Sequence, residues 1–400
     1  MSVTHIIGAG ISGLAAARRL SVHSSKIIIY ESTNHPGGRC RTFYDEKLGL
    51  EIDNGNHLVL SSNNAILEMA DINQLHIENN AKFNFVDLKN NSTWVVDAGS
   101  GKIPWMHKKP PGVNAWNLLN DYRNLNCDKT ITDVLDTSTA RWNSFWVPLI
   151  LAVMNTSPDE ASTKLMHKVL AESLLRGGHY CRPVFTLNGL SKAFVEPTAG
   201  RVDIRYGATL KNVEIRNNRV SNLVFRGFEV NLKPDDAVIM ALPWAAAHDV
   251  CPSLPKPQEF NPIINVHFKT TTAVETPQMT GLVGSYSQWL FRRKNVASIT
   301  ISAANQLSQN DNDGIAALVW AVVSNLLGGG VMPKYRVIKE KSATFKASPT
   351  VNASRPLTQS VTENLFIAGD WTATGLPATL EGASRSGFLA ANAAKQFLSN

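Results

Sequence analysis

The sequence lacks any apolar run long enough to cross a bilayer. A spanning helix needs about 20 such residues, and the best stretch, Ile315 to Leu327, is interrupted by Ser324 and Asn325. Membrane contact is therefore expected to be peripheral. Cysteine is scarce: Cys40, Cys127, Cys181 and Cys251 are scattered with no C-x-x-C pair. That spacing argues against a zinc site or a disulfide framework, and it predicts free thiols, no bound metal and a reducing, cytoplasmic setting. Long basic tracts are absent too. The net charge of +7 is dispersed, apart from short clusters at Arg292 to Lys294 and Lys108 to Lys109. Nucleic acid is not expected as a partner, whereas a mildly basic, fairly apolar chain suits the anionic cytoplasmic face of a membrane. The segment Arg141 to Met154 is the candidate for that contact, or for a tunnel wall. Apolar Ile6 to Ala17 could pass for a secretion signal, but no basic region precedes it and its glycines have a better use.

With 400 residues, 44% of them hydrophobic and 18% charged, the chain predicts a globular protein of two domains. The β-branched run Val3 to Ile7, the helix-forming Ile11 to Leu20 and the apolar Lys26 to Tyr30 read as strand, helix, strand. This is the opening of a parallel nucleotide-binding sheet. From residue 201 short alternating segments follow: Val202 to Arg205, Val213 to Arg216, the Asn217-Asn218 turn and Val220 to Phe225. All three segments are expected in one antiparallel meander. Ala237 to Met240 and Leu365 to Ala368 are fully apolar and read as central parallel strands, and Gly382 to Leu398 as a last helix. The expected fold is α/β: a discontinuous Rossmann-like domain (1–60, 191–245 and 355–400) with an inserted α+β domain (61–190 and 246–354).

Three constellations carry chemistry. In Gly8-x-Gly10-x-x-Gly13 the glycines permit a tight turn, a close approach to a pyrophosphate and close packing of the helix that starts at Ile11 and Ser12. Glu31, 18 residues past Gly13 at the end of the second strand, is placed to accept hydrogen bonds from a ribose. An acid there disfavours a 2′-phosphate. Next, Gly37 and Gly38 are expected at positive φ with their N–H groups exposed, and Arg39 and Arg41 to neutralise a pyrophosphate. Last, a short strand ends in Gly369-Asp370, and Pro377, Ala378 and Thr379 lead into the final helix, whose N-terminus favours negative charge.

The register of Glu31 with Gly37-Gly38-Arg39, together with the Gly369-Asp370 strand, resembles the amine oxidase and carotenoid desaturase superfamily of FAD enzymes. The resemblance implies FAD, with Asp370 on its ribityl chain and Val213 of the meander among its contacts. Where amine oxidases place a caging aromatic this chain has Thr379, and where covalently flavinylated members carry a cysteine it has Gly375. Amine oxidation is thus disfavoured, and the FAD is expected to be non-covalent.

Four segments narrow the resemblance: Phe145 to Thr156, Ser285 to Phe291, Glu340 to Phe345 and the C-terminal run from Gly369. They resemble the hydroxysqualene dehydroxylase family, with Arg292 a departure where many relatives carry an aspartate. The resemblance implies an isoprenoid lipid substrate, FADH2 as the working cofactor, an unidentified electron donor and reductive removal of a hydroxyl. It also implies a substrate pocket, for which Trp146, Asn155, Trp289 and Phe291 are the candidates. His57 is the candidate general acid, since imidazole titrates near neutrality. A carotenoid desaturase and a non-catalytic FAD-binding scaffold are the alternative readings.

Overall fold

The structure is a computed structural model and describes residues 2–21, 26–103 and 106–399. Its centre is a five-stranded sheet in the order Asp203–Arg205, Lys26–Tyr30, Val3–Ile7, Ala237–Met240, Leu365–Ile367. Every neighbouring pair in it is parallel, with Ile6 level with Ile29 on one side and Ile239 on the other. Such a sheet must bury both faces. Ile6, Ile29, Ile239 and Phe366 are accordingly all buried in one core cluster with Leu14, Ala15, Ala16 and Leu20 of the helix Ile11–Ser21.

That helix lies against the last helix, Leu380–Ser399, so closely that a Cβ on Gly387 would stand 2.2 Å from the Ser12 carbonyl oxygen. The same cluster takes in Ile66 and Met69 of the helix Asn64–Met69, from a stretch that the sequence assigns to the inserted domain.

The expected meander needs one correction. Its three strands are Leu210–Arg216, Arg219–Phe225 and Phe228–Asn231, and the first two are joined through Asn217 and Asn218 at φ 48° and 60°. The segment at 203–205 instead forms the edge of the parallel sheet, pairing with Lys26–Tyr30. Alternation marks a strand without naming its partner. Here the partner is fixed by the chain's return to Glu31, whose N–H donates to Arg205 O at 2.9 Å and whose carbonyl accepts from Ala208 N at 2.8 Å.

The second large sheet runs Trp289–Ile301, Phe260–Val283, Lys82–Asp87, Thr93–Asp97, with Tyr335–Phe345 also paired to Phe260–Val283. The helix Asn312–Val323 covers one face, burying Ile315, Ala316, Val319 and Val323 against Ile264, Val266 and Ile299. On the strand Trp289–Ile301 the period of two separates the faces. Leu290 joins this outer cluster, while Trp289 and Phe291 belong to the cluster facing the nucleotide-binding half.

The segment Arg141 to Met154 forms a wide helical turn, Trp142–Trp146, followed by the helix Val147–Met154. One face of it belongs to the core, with Trp142, Phe145, Trp146, Ile150 and Met154 buried in the largest cluster, while Ala152 is exposed and Val147, Leu149, Leu151 and Val153 are half-buried. Among the described residues no helix is long and apolar enough to cross a membrane.

Candidate cofactor and substrate site

The glycine loop is shaped by three different demands. Gly8 has φ +104°, and a Cβ there would lie 2.7 Å from Ala241 O. On Gly13 a Cβ would lie 2.0 Å from Gly8 O, so the first turn of the helix can pack on the loop only through a residue without a side chain. Around a Cβ on Gly10 there is no protein atom within 4 Å. Its bare face looks onto open space beside the start of the helix at Ile11 and Ser12. Gly37 and Gly38 take φ +104° and +57°, as expected, and Gly37 N donates to Ala9 O at 2.8 Å. The two glycine loops thus lie side by side. A cradle that a Cβ would fill, beside a helix N-terminus, fits a dinucleotide pyrophosphate.

Glu31 closes the far side of the loop. One carboxylate oxygen accepts from Ala9 N at 2.9 Å and the other from Thr33 N and Thr33 Oγ1, both at 2.9 Å. The carboxylate is therefore preset at the strand end, where the ribose was expected. Val213 is buried in the meander, opposite Leu223.

Arg39 and Asp370 are paired to each other, 2.8 Å apart, although the motifs assign them to the pyrophosphate and the ribityl chain separately. The nearby carboxylate raises the Arg39 pKa above its ordinary value. Arg39 also donates to Ala343 O. These contacts join two loops more than 300 residues apart in the chain.

Behind Asp370 stands Arg355, which no motif singles out. It donates to the carbonyls of Asp370, Trp371, Thr372 and Leu376, and its guanidinium lies 4.5 Å from the ring centre of Phe345. Burial pulls its pKa down to about 10, against the pull of Asp370, so it stays charged at neutral pH. Further along, Thr379 Oγ1 accepts from Gly382 N at 3.0 Å and caps the last helix; Pro377 and Ala378 form the approach to it. Glu381, 3% exposed, ties this helix to the helix Asn64–Met69 through the N–H groups of Ala65 and Ile66.

Of the four pocket candidates, Phe291 lines a cavity together with His57. Trp289, two residues before it on the same strand face, meets Phe85 edge-on at 5.5 Å, and its indole N–H has no partner among the described residues. Trp146 and Asn155 are structural instead. The indole N–H of Trp146 donates to Asp121 at 2.9 Å, and that carboxylate also takes Arg141 at 2.8 Å. Asn155, at φ 48°, donates to Asn261 O and Thr344 Oγ1 and accepts from Ala303 N, leaving its amide saturated within the core. Arg292 is on the cavity wall.

The surroundings of His57 weigh against the proton-donor role that the sequence suggests. Desolvation lowers its pKa to about 4, helped by Arg39 and opposed by Asp53, so at neutral pH the ring is neutral. A neutral imidazole is a poor acid. His267, which lines the same cavity and was not anticipated, is pulled down by burial to about 3. The unfolded chain takes up these protons from about pH 6.5. Folded stability is thus full above pH 6.5 and falls as the pH drops towards 4. The urea midpoint should be lower at pH 5 than at pH 7, and His57→Gln should flatten the slope; a midpoint equal at both pH values would refute the linkage.

A model of the flavin containing amine oxidoreductase family matches residues 122–395, and one of the NAD(P)-binding Rossmann-like domain matches residues 6–72. Hydroxysqualene dehydroxylase of Rhodopseudomonas palustris is 38% identical, the match covering 97% of each chain. The enzyme of that name from Sinorhizobium fredii is also 38% identical, over 98% of this chain and 97% of its own. Among solved structures, cyclohexylamine oxidase from Brevibacterium oxydans has a TM-score of 0.72 at 13% identity, with both chains covered completely. A putrescine oxidase double mutant has 0.70 at 16%; at such identities the likeness concerns the fold alone. The cofactor of this fold, and the one the cradle fits, is FAD. With its dinucleotide cradle, its parallel sheet and relatives aligned along nearly its whole length, the chain belongs to the flavin containing amine oxidoreductases and, among them, to the hydroxysqualene dehydroxylase family.

Proposed function

We propose that the protein removes the hydroxyl of hydroxysqualene reductively, turning the alcohol and FADH2 into squalene, water and FAD. The observation that carries this reading is the 38% identity to hydroxysqualene dehydroxylases across 97% of the chain. Bound as FADH2, non-covalently, the cofactor supplies the hydride that replaces the hydroxyl on carbon. The protein's own part is to hold, orient and dry the reacting groups. Gly10 and Gly38 leave room for the pyrophosphate, Glu31 stands ready for the ribose, and Arg39 with Asp370 joins the two ends of the cradle. Phe291, Trp289 and Phe85 offer aromatic faces that can favour positive charge developing at carbon while excluding water.

The test is anaerobic. Reduced enzyme mixed with hydroxysqualene should form squalene and reoxidise its flavin at matching rates, and acid precipitation should release free FAD. If reduced enzyme leaves the alcohol untouched while oxidised enzyme dehydrogenates a polyene, a desaturase reading replaces this one. The 15-cis-phytoene desaturase of Synechococcus elongatus, 22% identical over 97% of this chain, makes that the informative competitor.

A lipid substrate and a net charge of +7 also support peripheral attachment to an anionic membrane on its cytoplasmic side. Sedimentation with anionic vesicles at low salt checks this, and protein left wholly in the supernatant contradicts it. The electron donor that reduces FAD is a separate, unidentified partner.

A further inference from the structure

The described tryptophans are buried or half-buried with one exception. Trp116, near the start of the helix Ala115–Asn124, is 81% exposed. Ile103, on the loop before it, is 77% exposed. One exposed apolar side chain is ordinary on a protein surface. These two differ in the company they keep along the chain.

From Ala98 to Asn120 there is no aspartate or glutamate, whereas Lys102, Lys108 and Lys109 are present and exposed. The acid that ends this stretch, Asp121, is buried and taken up by Arg141 and Trp146. The stretch is also pinned to the protein beneath. Met106, Pro110 and Val113 are buried, and Ser144 Oγ donates to Pro111 O at 2.7 Å. Gly112 lies so close to the Trp142–Trp146 turn that a Cβ on it would stand 2.8 Å from Arg141 N. With those residues anchored, His107, Lys108 and Lys109 are left in solvent. Gly101 to Ile103 pack against Gly177, which brings the chain at Lys102 beside that of the exposed Arg176.

We infer that this face, Ile103 and Trp116 with the cations Lys102, Lys108 and Lys109, is where the protein sits on an anionic lipid bilayer. The inference rests on the peripheral-attachment reading and names the surface that performs it. Tryptophan suits the boundary of a bilayer, having an apolar ring and a polar N–H. Lysines are drawn to anionic headgroups, and the absence of local carboxylates leaves that attraction unopposed along the stretch. A second copy of the chain is a poor occupant, because a symmetric dimer would set the same cations face to face.

Co-sedimentation of the holoenzyme with vesicles of phosphatidylcholine and phosphatidylglycerol, at low salt, tests the face. The side chains to be changed are exposed, so the fold should tolerate their loss, and flavin content checks that it does. Wild type should bind. Lys102→Glu with Lys108→Glu should weaken binding about tenfold or more, since each cation near such a surface contributes about fivefold. The same reversal on the antiparallel meander, Lys211→Glu with Arg226→Glu, should cost about threefold or less, because charges farther than a Debye length from the lipid are screened. Equal losses from the two pairs would make net charge, not this face, the cause of binding, and overturn the inference.

Brominated lipid reads contact directly, because it quenches the tryptophans that it touches. Bound wild type should be quenched, while Trp116→Phe should bind within about twofold of wild type and lose most of the quenching. Unchanged quenching in that variant overturns the surface. So does a dimer in vesicle-free solution that Trp116→Ala dissolves, which assigns the face to a second copy. The two readings fail differently. Wild type that ignores anionic vesicles removes the attachment and this surface with it. Binding that survives alteration of the face keeps the attachment and removes only the surface.

Discussion

Arg355→Met is expected to lower the unfolding free energy by about 3–5 kcal/mol and to yield protein purified with little flavin. The guanidinium is 5% exposed and serves as the hub of the turn after Gly369-Asp370. It donates to Asp370 O at 3.2 Å, Trp371 O at 3.3 Å, Leu376 O at 2.8 Å and Asn352 Oδ1 at 3.1 Å, as well as to Thr372 O. Methionine fills much of the space and takes the donor from the carbonyls of Asp370, Trp371 and Leu376, whereas Thr372 O keeps Thr374 N at 2.7 Å. Because the same turn carries the Asp370 carboxylate that meets Arg39, disorder in it opens the cofactor cradle. Arg355→Lys should recover only part of the loss, since an ammonium with three donors cannot span carbonyls arranged around a planar fork. Urea denaturation and the flavin-to-protein ratio read the two effects separately. A methionine variant with wild-type midpoint and flavin content would show that the turn holds itself.

Why Arg355 was invisible in the sequence, while Gly8 and Gly37 were not, is a matter of range. The glycine loops act on their own backbone within a few residues, so their spacing carries the whole constraint. Arg355 has no local pattern; its role exists only because the turn at 370–376 folds back over it. The same holds for His267, which sits within an ordinary β-branched strand and meets its partner Ser298 only when the two strands pair.

The central parallel strands were legible, because burial on both faces demands continuous apolar residues. The segment at 203–205 was misassigned to the meander because pairing partners are not written in alternation. Aromatic content misled at Trp146. A tryptophan in a family-like segment suggests a pocket wall, but here the indole N–H is spent on the buried Asp121 carboxylate and the ring lies in the core cluster.

The glycine loop offers a sharper contrast, because two glycines three residues apart, Gly10 and Gly13, should fail in opposite ways. Gly10→Ala adds a methyl where no protein atom lies within 4 Å, so the apoprotein should fold and melt like wild type. The methyl occupies the space through which a pyrophosphate approaches the backbone. Flavin affinity should therefore fall at least about tenfold, the scale of losing one charge-assisted hydrogen bond. Gly13→Ala puts its methyl carbon 2.0 Å from Gly8 O and 3.3 Å from Ala241 Cβ, a collision with backbone that no rotamer relieves. The helix Ile11–Ser21 must then move off the sheet, and with it the face that packs against Gly387 of the last helix. Gly13→Ala should lose stability even without cofactor, by several degrees or more in Tm, and added FAD should not restore it. Flavin titration and melting of both apoproteins separate the two glycines. If Gly10→Ala binds FAD as wild type does, its open face is not where the pyrophosphate lies, and the cradle must be redrawn around Gly37 and Gly38.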